Sequence, residues 1–222
     1  MQFKIHNEGW VYLVSTIILT IIIIPFFYYL GILFFFLSLF IFYFFRDPNR
    51  SIPIEDFIIS PADGTITFIG DTNIPKEISG SLKTYTKISI FLSILDVHVN
   101  RMPIDGKISN INYISGKFIN ATLNKSSNKK EKNIIEIKNN NHSIYLVQIA
   151  GLIARRIVCY LKENQEVKKG DRIGIIKFGS RVDLYLPKNY NILVSNGQKV
   201  IGGETIISNP KNISSVSDSI IK

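Results

Sequence analysis

The stretch IIKFGSRVDLYLP, residues 175–187, decides how the fold of this chain is interpreted. It contains two runs of strand-forming residues that meet at Gly179-Ser180. Apolar and polar residues partly alternate on either side of that junction, which is typical of β-strands. A Gly-Ser pair is also a common turn, so the junction has a plain structural explanation as well as a chemical one.

Similar short runs, rich in Ile, Val, Tyr or Phe, recur from residue 46 to residue 207. About nine such strands predict a mainly β fold with one barrel-like or sandwich-like domain. The candidate strands are Thr65–Ile69, Lys87–Ile94, Lys107–Ile114, Asn133–Lys138, Ser143–Ala150, Ile157–Leu161, Arg172–Phe178, Arg181–Leu186 and Lys199–Ile207.

Two polar stretches do not fit the strand pattern. Lys117–Lys132 is rich in Lys, Asn and Ser, and we expect a loop there. The tail from Asn209 is rich in Ser and Asn, and we expect it to be frayed. The sequence shows no cluster of His and Cys spaced as metal ligands, so no metal site is predicted.

The N-terminal part of the chain is apolar, with no charged residue from Gly9 to Phe45. One helix of that length would measure roughly 55 Å, against a bilayer core of roughly 30 Å. Two short helices broken near Pro25 and Gly31 fit better. The sequence therefore predicts a membrane-anchoring hairpin in residues 1–45 and one catalytic domain in residues 46–222.

Flanking charges and the single cysteine predict the compartment. Lys4 precedes the apolar stretch, and Arg46 and Arg50 follow it, which places both ends in the cytoplasm by the positive-inside bias. Cys159 has no partner for an intrachain disulfide, in keeping with a reducing compartment. A cleaved signal peptide is the alternative, but it would have a shorter apolar core.

The formal charge of +9 lies entirely after the hairpin, because Lys4 and Glu8 cancel each other. Basic surface can bind nucleic acid or simply favour solubility. Next to an apolar anchor, we expect instead the anionic cytoplasmic face of the cell membrane as its partner. No nucleic-acid partner is predicted.

Two further motifs carry residues that could do chemistry. Asp63 lies in Ser60-Pro61-Ala62-Asp63-Gly64-Thr65, which is also ordinary turn chemistry. His98 lies in DVHVNRMP, residues 96–103, where alternation puts Asp96, His98 and Asn100 on one side of an extended segment. A solvated strand face explains that alternation equally well.

The Gly-Ser junction permits a less common reaction. Gly179 tolerates strained backbone angles, and the Ser180 hydroxyl could attack the preceding carbonyl and turn the peptide into an ester. A base must take the hydroxyl proton, and a histidine held by a carboxylate is the usual arrangement. Ser180, His98 and Asp63 would then form a Ser-His-Asp unit, although spacing alone does not show that they meet.

Several of these stretches, in this order and spacing, resemble the short bacterial type of the phosphatidylserine decarboxylase family. The likeness runs from about Arg46 to Ile207, and the Asp-Pro-Asn-Arg run at residues 47–50 is similar to that family's opening. The most specific matches are FGSRVD at residues 178–183 and QIAGLIARRIVC at residues 148–159.

The resemblance implies self-cleavage between Gly179 and Ser180, with Ser180 becoming a pyruvoyl group. Chains 1–179 and 180–222 would stay associated. The pyruvoyl group would decarboxylate phosphatidylserine in the membrane to phosphatidylethanolamine through a Schiff base. By similarity, His98 is the catalytic histidine and Asp63 the carboxylate of the cleavage machinery. The oligomeric state stays open, a homodimer included.

Two positions qualify that resemblance. Longer members keep a second histidine immediately before the Met-Pro, whereas this chain has Arg101, so His98 would have to serve both cleavage and decarboxylation. Arg155 and Arg156 are candidates for the lipid phosphate or carboxylate, and in a strand only one of them faces a given side.

Two other functions remain alternatives. Residues 166–174 resemble the turn of lipoyl-like β-domains, so a membrane-tethered binding module with lipoyl-like elements is one; a carrier would need a Met-Lys-type hairpin, which is missing. An uncleaved serine hydrolase is the other, but it lacks the Gly-x-Ser-x-Gly elbow.

Overall fold

A computed structural model describes residues 3–74, 84–116, 131–139, 142–151, 156–177, 180–210 and 219–221. Most of the expected loop, residues 117–130, lies outside the described part of the chain. Lys132, at the end of that stretch, already belongs to a strand.

Eighteen strands and two helices follow one another along the described residues. They are β1 (Phe3–Ile5), α1 (Asn7–Ile23), α2 (Tyr28–Phe44), β2 (Arg46–Pro48), β3 (Ser51–Pro53), β4 (Ile58–Ile59), β5 (Gly64–Asn73), β6 (Thr84–Leu92), β7 (Val99–Arg101), β8 (Gly106–Ile114), β9 (Lys132–Asn139), β10 (His142–Ala150), β11 (Arg156–Cys159), β12 (Glu166–Val167), β13 (Arg172–Lys177), β14 (Ser180–Pro187), β15 (Asn191–Ile192), β16 (Lys199–Val200), β17 (Ile206–Asn209) and β18 (Ser219–Ile221).

The main sheet has eight strands in the order β12-β8-β9-β10-β14-β6-β5-β16. All neighbouring pairs in it are antiparallel, and the sheet is curled. A three-stranded sheet, β11-β13-β7, contains the segment that leads toward Ser180. The prediction of a mainly β fold is confirmed.

Strand β14 lies in the middle of the main sheet, hydrogen-bonded to β10 on one side and β6 on the other. Val182, Leu184 and Leu186 alternate along it and are fully buried in the main hydrophobic core. On its other face, Tyr185 packs with Tyr145 in a second cluster. Both edges of β14 are therefore paired, and its residues from Val182 to Leu186 are buried, whereas Arg181 is exposed.

Helices α1 and α2 contact each other and are joined by residues 24–27, which include Pro25, one of the two predicted break points. Gly31, the other, lies inside α2, where its lack of a side chain lets the helix pack against the connection, since a Cβ there would lie 2.6 Å from the Ile24 Cα. Their outward surfaces expose large apolar side chains, such as Val11, Phe26 and Tyr29. Neither helix within the described residues combines the length and apolar character that crossing a membrane requires.

The end of α2 belongs to the same packing as the β-domain. Phe44 and Phe45 are buried in one hydrophobic cluster with Val97, Val99 and Ile175. Strand β1, ahead of the helices, also pairs with β2, which follows them. The boundary drawn from the sequence at residue 45 therefore falls beside side chains that anchor the helices to the domain.

The tail departs from expectation. Strand β18 pairs with β3, Ile220 opposite Ile52, so the described tail residues are hydrogen-bonded to the start of the domain. The prediction of fraying from residue 209 onward is wrong for residues 219–221. Polar composition does not report this pairing, because it depends on an edge strand more than 160 residues away.

Candidate active site

Two of the residues that the sequence singled out, Asp63 and Ser180, lie at one end of the main sheet. Ser180 begins β14 and lies opposite Leu92 of β6 and Ala150 of β10. Strand β5 begins at Gly64, directly after Asp63, and runs beside β6. Because β6 is the only strand between β5 and β14, Asp63 and Ser180 lie at the same sheet end, with backbones roughly 10 Å apart.

The Ser180 side chain is buried, at 4% exposure, and so is its hydroxyl. Within the described residues its Oγ has no hydrogen-bond partner. A buried hydroxyl normally has one, so an unpaired one at a strand start indicates a functional position. Gly179 lies outside the described residues, and cleavage between Gly179 and Ser180 remains a prediction.

His98 is fully buried, and its ring lies 4.3 Å from the ring of Phe44, centroid to centroid. Its Nδ1 is 2.9 Å from the Asp96 carbonyl oxygen, which can only accept, so Nδ1 carries the hydrogen. The other nitrogen, Nε2, therefore holds a lone pair, and among the described residues nothing hydrogen-bonds to it. Burial lowers the pKa of His98 to about 4, which keeps the ring neutral and able to accept a proton.

Strand pairing brings His98 to the segment that precedes Ser180. The Ile176 amide donates to the His98 carbonyl oxygen at 3.3 Å, and Val99 lies opposite Ile175. Ser180 follows Ile176 by four positions. The backbone thus places the histidine beside the approach to the predicted cleavage point.

Asp63 is held by Arg50 and Gly202, whereas the predicted Ser-His-Asp unit would pair it with His98. Its two carboxylate oxygens accept from Arg50 Nη2 at 2.9 and 2.8 Å, and one also accepts from the Gly202 amide at 2.8 Å. Burial raises the pKa of Asp63, against the opposing effect of Arg50. No hydrogen bond joins Asp63 to His98 within the described residues. The structure places Asp63 and Ser180 at one end of the main sheet and His98 beside β13, without showing the three as a connected triad.

Arg101, which stands where longer relatives keep a histidine, has a structural role here. It is 2% exposed and donates to Asp47 Oδ1 at 3.1 Å, to the Pro48 carbonyl at 2.9 Å and to the Gly170 carbonyl at 3.1 Å. Arg172 also donates to Asp47. Arg101 therefore fixes the linker after the helices and does not replace the missing histidine as a base.

A chain of buried amides crosses the interior near Ser180, and sequence reasoning did not identify it as functional. Asn133 donates to Gln148 at 2.9 Å, and Gln148 donates to Asn100 at 2.8 Å. Gln148 precedes Ala150, the residue opposite Ser180, by two positions and so shares its sheet face. The sequence contained one sign of this network, because Asn100 lies two residues after His98 and is therefore expected on the same side of the chain.

The proposed substrate-binding arginines are only partly described. Arg155 lies outside the described residues, whereas Arg156 begins β11 opposite Lys177 and is exposed. A role for either arginine in binding lipid remains a prediction.

Comparison with known proteins gives one consistent result. The family model for phosphatidylserine decarboxylase matches residues 37–208. Relatives named phosphatidylserine decarboxylase proenzyme include one from Pelagibacter ubique, 48% identical over 92% of this chain and 96% of the relative. Others come from Ehrlichia chaffeensis, at 50% over 92% and 91%, and Rickettsia typhi, at 46% over 93% and 90%. No solved structure gives a significant match.

We expect Phe44→Ala to raise the pKa of His98 from about 4 toward its ordinary value of 6.5, because water would reach the ring. NMR titration of the histidine ring protons measures this shift. Phe42→Ala, which removes an exposed ring from the same helix, is the control and should leave the titration unchanged. An unaltered His98 titration in Phe44→Ala would show that Phe44 does not shield the ring.

Proposed function

Because the chain belongs to the phosphatidylserine decarboxylase family, we propose that it converts phosphatidylserine to phosphatidylethanolamine with a pyruvoyl group made from its own Ser180. The observation that carries the proposal is the position of Ser180. It begins the central strand, is buried, and has a hydroxyl that none of the described residues uses as a hydrogen-bond partner.

Ser180 fits the formation of this group. Cleavage before it would leave the β14 pairings with β10 and β6 in place, because those run from Ser180 toward Pro187. A pyruvoyl group supplies a carbonyl that condenses with the serine amine of the lipid and accepts the electrons released as carbon dioxide leaves. Its place at the sheet end, four positions after a residue that pairs with the backbone of a neutral histidine, suits chemistry that needs proton transfer.

His98 is suited to assist the cleavage step. The Ser180 oxygen attacks the carbonyl carbon of residue 179, and its proton passes to a base as the new carbon–oxygen bond forms. The carbon–nitrogen bond then breaks, the Ser180 nitrogen takes a proton, and an ester replaces the peptide. Loss of the Ser180 Cα proton then releases the carboxylate of residue 179, which separates the two chains, and water converts the enamine left at residue 180 into the pyruvoyl carbonyl with loss of ammonia. Among the described residues nothing hydrogen-bonds to Nε2 of His98, so its lone pair is available for the first proton transfer. General catalysis of this kind contributes about 10²–10⁴-fold.

In the decarboxylation step we propose that His98 returns a proton to the substrate carbon. A neutral imidazole must first accept a proton before it can donate one, and its low pKa makes the protonated ring a strong donor. Asp63 is proposed for cleavage alone. Asp63 is paired with Arg50, and the Nδ1 hydrogen of His98 bonds to the Asp96 carbonyl, so direct orientation of His98 by Asp63 would need that hydrogen bond to change.

The structure supports continued association of chains 1–179 and 180–222. The second chain contributes β14 to the middle of the main sheet and β18 to the edge at β3. Separating it would expose the fully buried Val182, Leu184 and Leu186. A homodimer stays a prediction.

The substrate is a lipid, and we propose that the protein acts at the cytoplasmic face of the cell membrane. The outward surfaces of α1 and α2 carry exposed apolar side chains, among them Val11, Phe26 and Tyr29. The charge of +9 lies in the domain that follows these helices. Apolar contact together with attraction to anionic lipid would hold the active site at the bilayer.

Self-cleavage provides the test of the proposed chemistry. Denaturing mass spectrometry of the purified wild-type protein should give two chains, residues 1–179 and 180–222, with the second blocked at its N-terminus. Ser180→Ala should remain one chain, because it has no hydroxyl to attack, and Ser195→Ala, which alters an exposed serine, should cleave normally. An active wild-type preparation consisting of one intact chain would contradict the mechanism.

Membrane attachment has its own test. Phe26→Asp combined with Tyr29→Asp should reduce co-flotation with vesicles that contain phosphatidylserine, since it places charges on the exposed turn formed by the helix connection and the start of α2. Leu193→Asp, a change at an exposed leucine of the β-domain, is the control and should float like the wild type. Undiminished flotation of the double variant would refute attachment through this turn.

A further inference from the structure

A buried ion pair joins the first helix to the strand that leads to Ser180. Lys177 Nζ lies 2.8 Å from Glu8 Oε2, and the Lys177 side chain is only 4% exposed. The same ammonium group is 5.2 Å from the centre of the Tyr12 ring, on the next turn of α1. Both partners of the buried charge among the described residues therefore come from the helix.

Lys177 lies close in sequence to the predicted cleavage point. It is the last residue of β13 and precedes Ser180 by three positions. Its backbone lies opposite Arg156 of β11, and its neighbour Ile176 donates to the His98 carbonyl. Lys177 is therefore close in sequence to the predicted cleavage point, and the residue before it is bonded to the backbone of the histidine.

Glu8 is itself held firmly. It stands in the first turn of α1, where a carboxylate is favoured by the helix dipole, and its amide donates to the ring of the N-cap residue His6. The His6 amide donates to the Phe45 carbonyl at 2.8 Å, which ties this turn to the end of α2. The hydrogen bond from Lys177 lowers the pKa of Glu8, so the carboxylate stays charged at neutral pH.

We propose that Glu8 is a positioning residue for self-cleavage, acting through Lys177 to hold the end of β13 in place before Ser180. This inference rests on the proposed function, because it concerns the efficiency of the same cleavage. It gives α1 a part in maturation as well as in attachment to lipid.

Electrostatics explains why the pair would matter. An ammonium group that is almost fully buried is costly without a partner, and removing one partner of a buried pair leaves an uncompensated charge. Without Glu8, Lys177 would turn toward water and pull the strand end with it. Misplacement of reacting groups by about 1 Å can lower a rate by on the order of 10²-fold.

A purely structural role for Glu8 makes a different prediction. If Glu8 only neutralised a buried charge, Lys177→Met would remove the need for it, and cleavage would proceed at the wild-type rate. If the ion pair sets the position of the strand end, Lys177→Met should slow cleavage as Glu8→Gln does. The two single variants together therefore separate positioning from charge neutralisation.

The experiment follows the conversion of newly translated full-length chain into the two products over time on denaturing gels. We expect Glu8→Gln and Lys177→Met each to cleave about 10- to 100-fold more slowly than wild type, and Glu8→Asp to recover much of the rate. Asp71→Asn is the matched control, since it breaks the exposed Asp71–Lys188 pair at 2.9 Å and should cleave normally.

Folding is checked separately in chains that cannot cleave. Glu8→Gln and Lys177→Met are each combined with Ser180→Ala, and thermal unfolding is compared with Ser180→Ala alone. Similar midpoints together with slow cleavage support the proposal. Wild-type cleavage rates in Glu8→Gln, or in Lys177→Met, would overturn it while leaving the proposed function intact. A wild-type chain that never cleaves would overturn both.

Discussion

The rest of the structure depends on the antiparallel pairing of β14 with β10 and β6. This strand begins at Ser180, and its backbone is bonded along both edges while its apolar side chains fill the main core. A peptide bond at the start of such a strand can be cut without loss of the pairings beyond it. The same pairing that stabilises the domain thus fixes the serine that we propose to react at the sheet end.

The N-terminal part of the chain is tied to the β-domain by ion pairs, each of which has at least one buried partner. Arg50 binds Asp63, Arg101 and Arg172 bind Asp47, and Glu8 binds Lys177. Buried ion pairs add little net stability compared with apolar packing, but they are strict about geometry because an unpaired partner is costly. With Phe44 against His98, they make the helices and linker part of the active-site surroundings.

Much of this could be predicted from local sequence. Alternation and β-branched residues indicated the strand at residues 181–186, and an uncharged apolar run interrupted by Pro25 indicated the two helices. The choice of Ser180 and His98 as candidates came from short motifs. The pairing of the His98 backbone with the strand that precedes Ser180 could not be derived, because it depends on which strands are neighbours.

The partners of the charged residues could not be predicted, because sequence patterns carry no information on contacts between distant segments. Arg101 contacts Asp47 across 54 positions, and Lys177 contacts Glu8 across 169. The pairing of the polar tail with β3 was missed for the same reason. Contacts between segments far apart in the sequence determine whether the residues of a candidate motif come together as a site.

The central claim is that Ser180 supplies the group that binds the amine of the lipid. The most direct measurement treats the purified enzyme with phosphatidylserine and sodium cyanoborohydride and then determines the mass of each chain under denaturing conditions. The account predicts that the added mass is found on the chain that begins at residue 180 and that activity is lost in proportion. Added mass on a lysine of the larger chain, or continued turnover with neither chain altered, would contradict it.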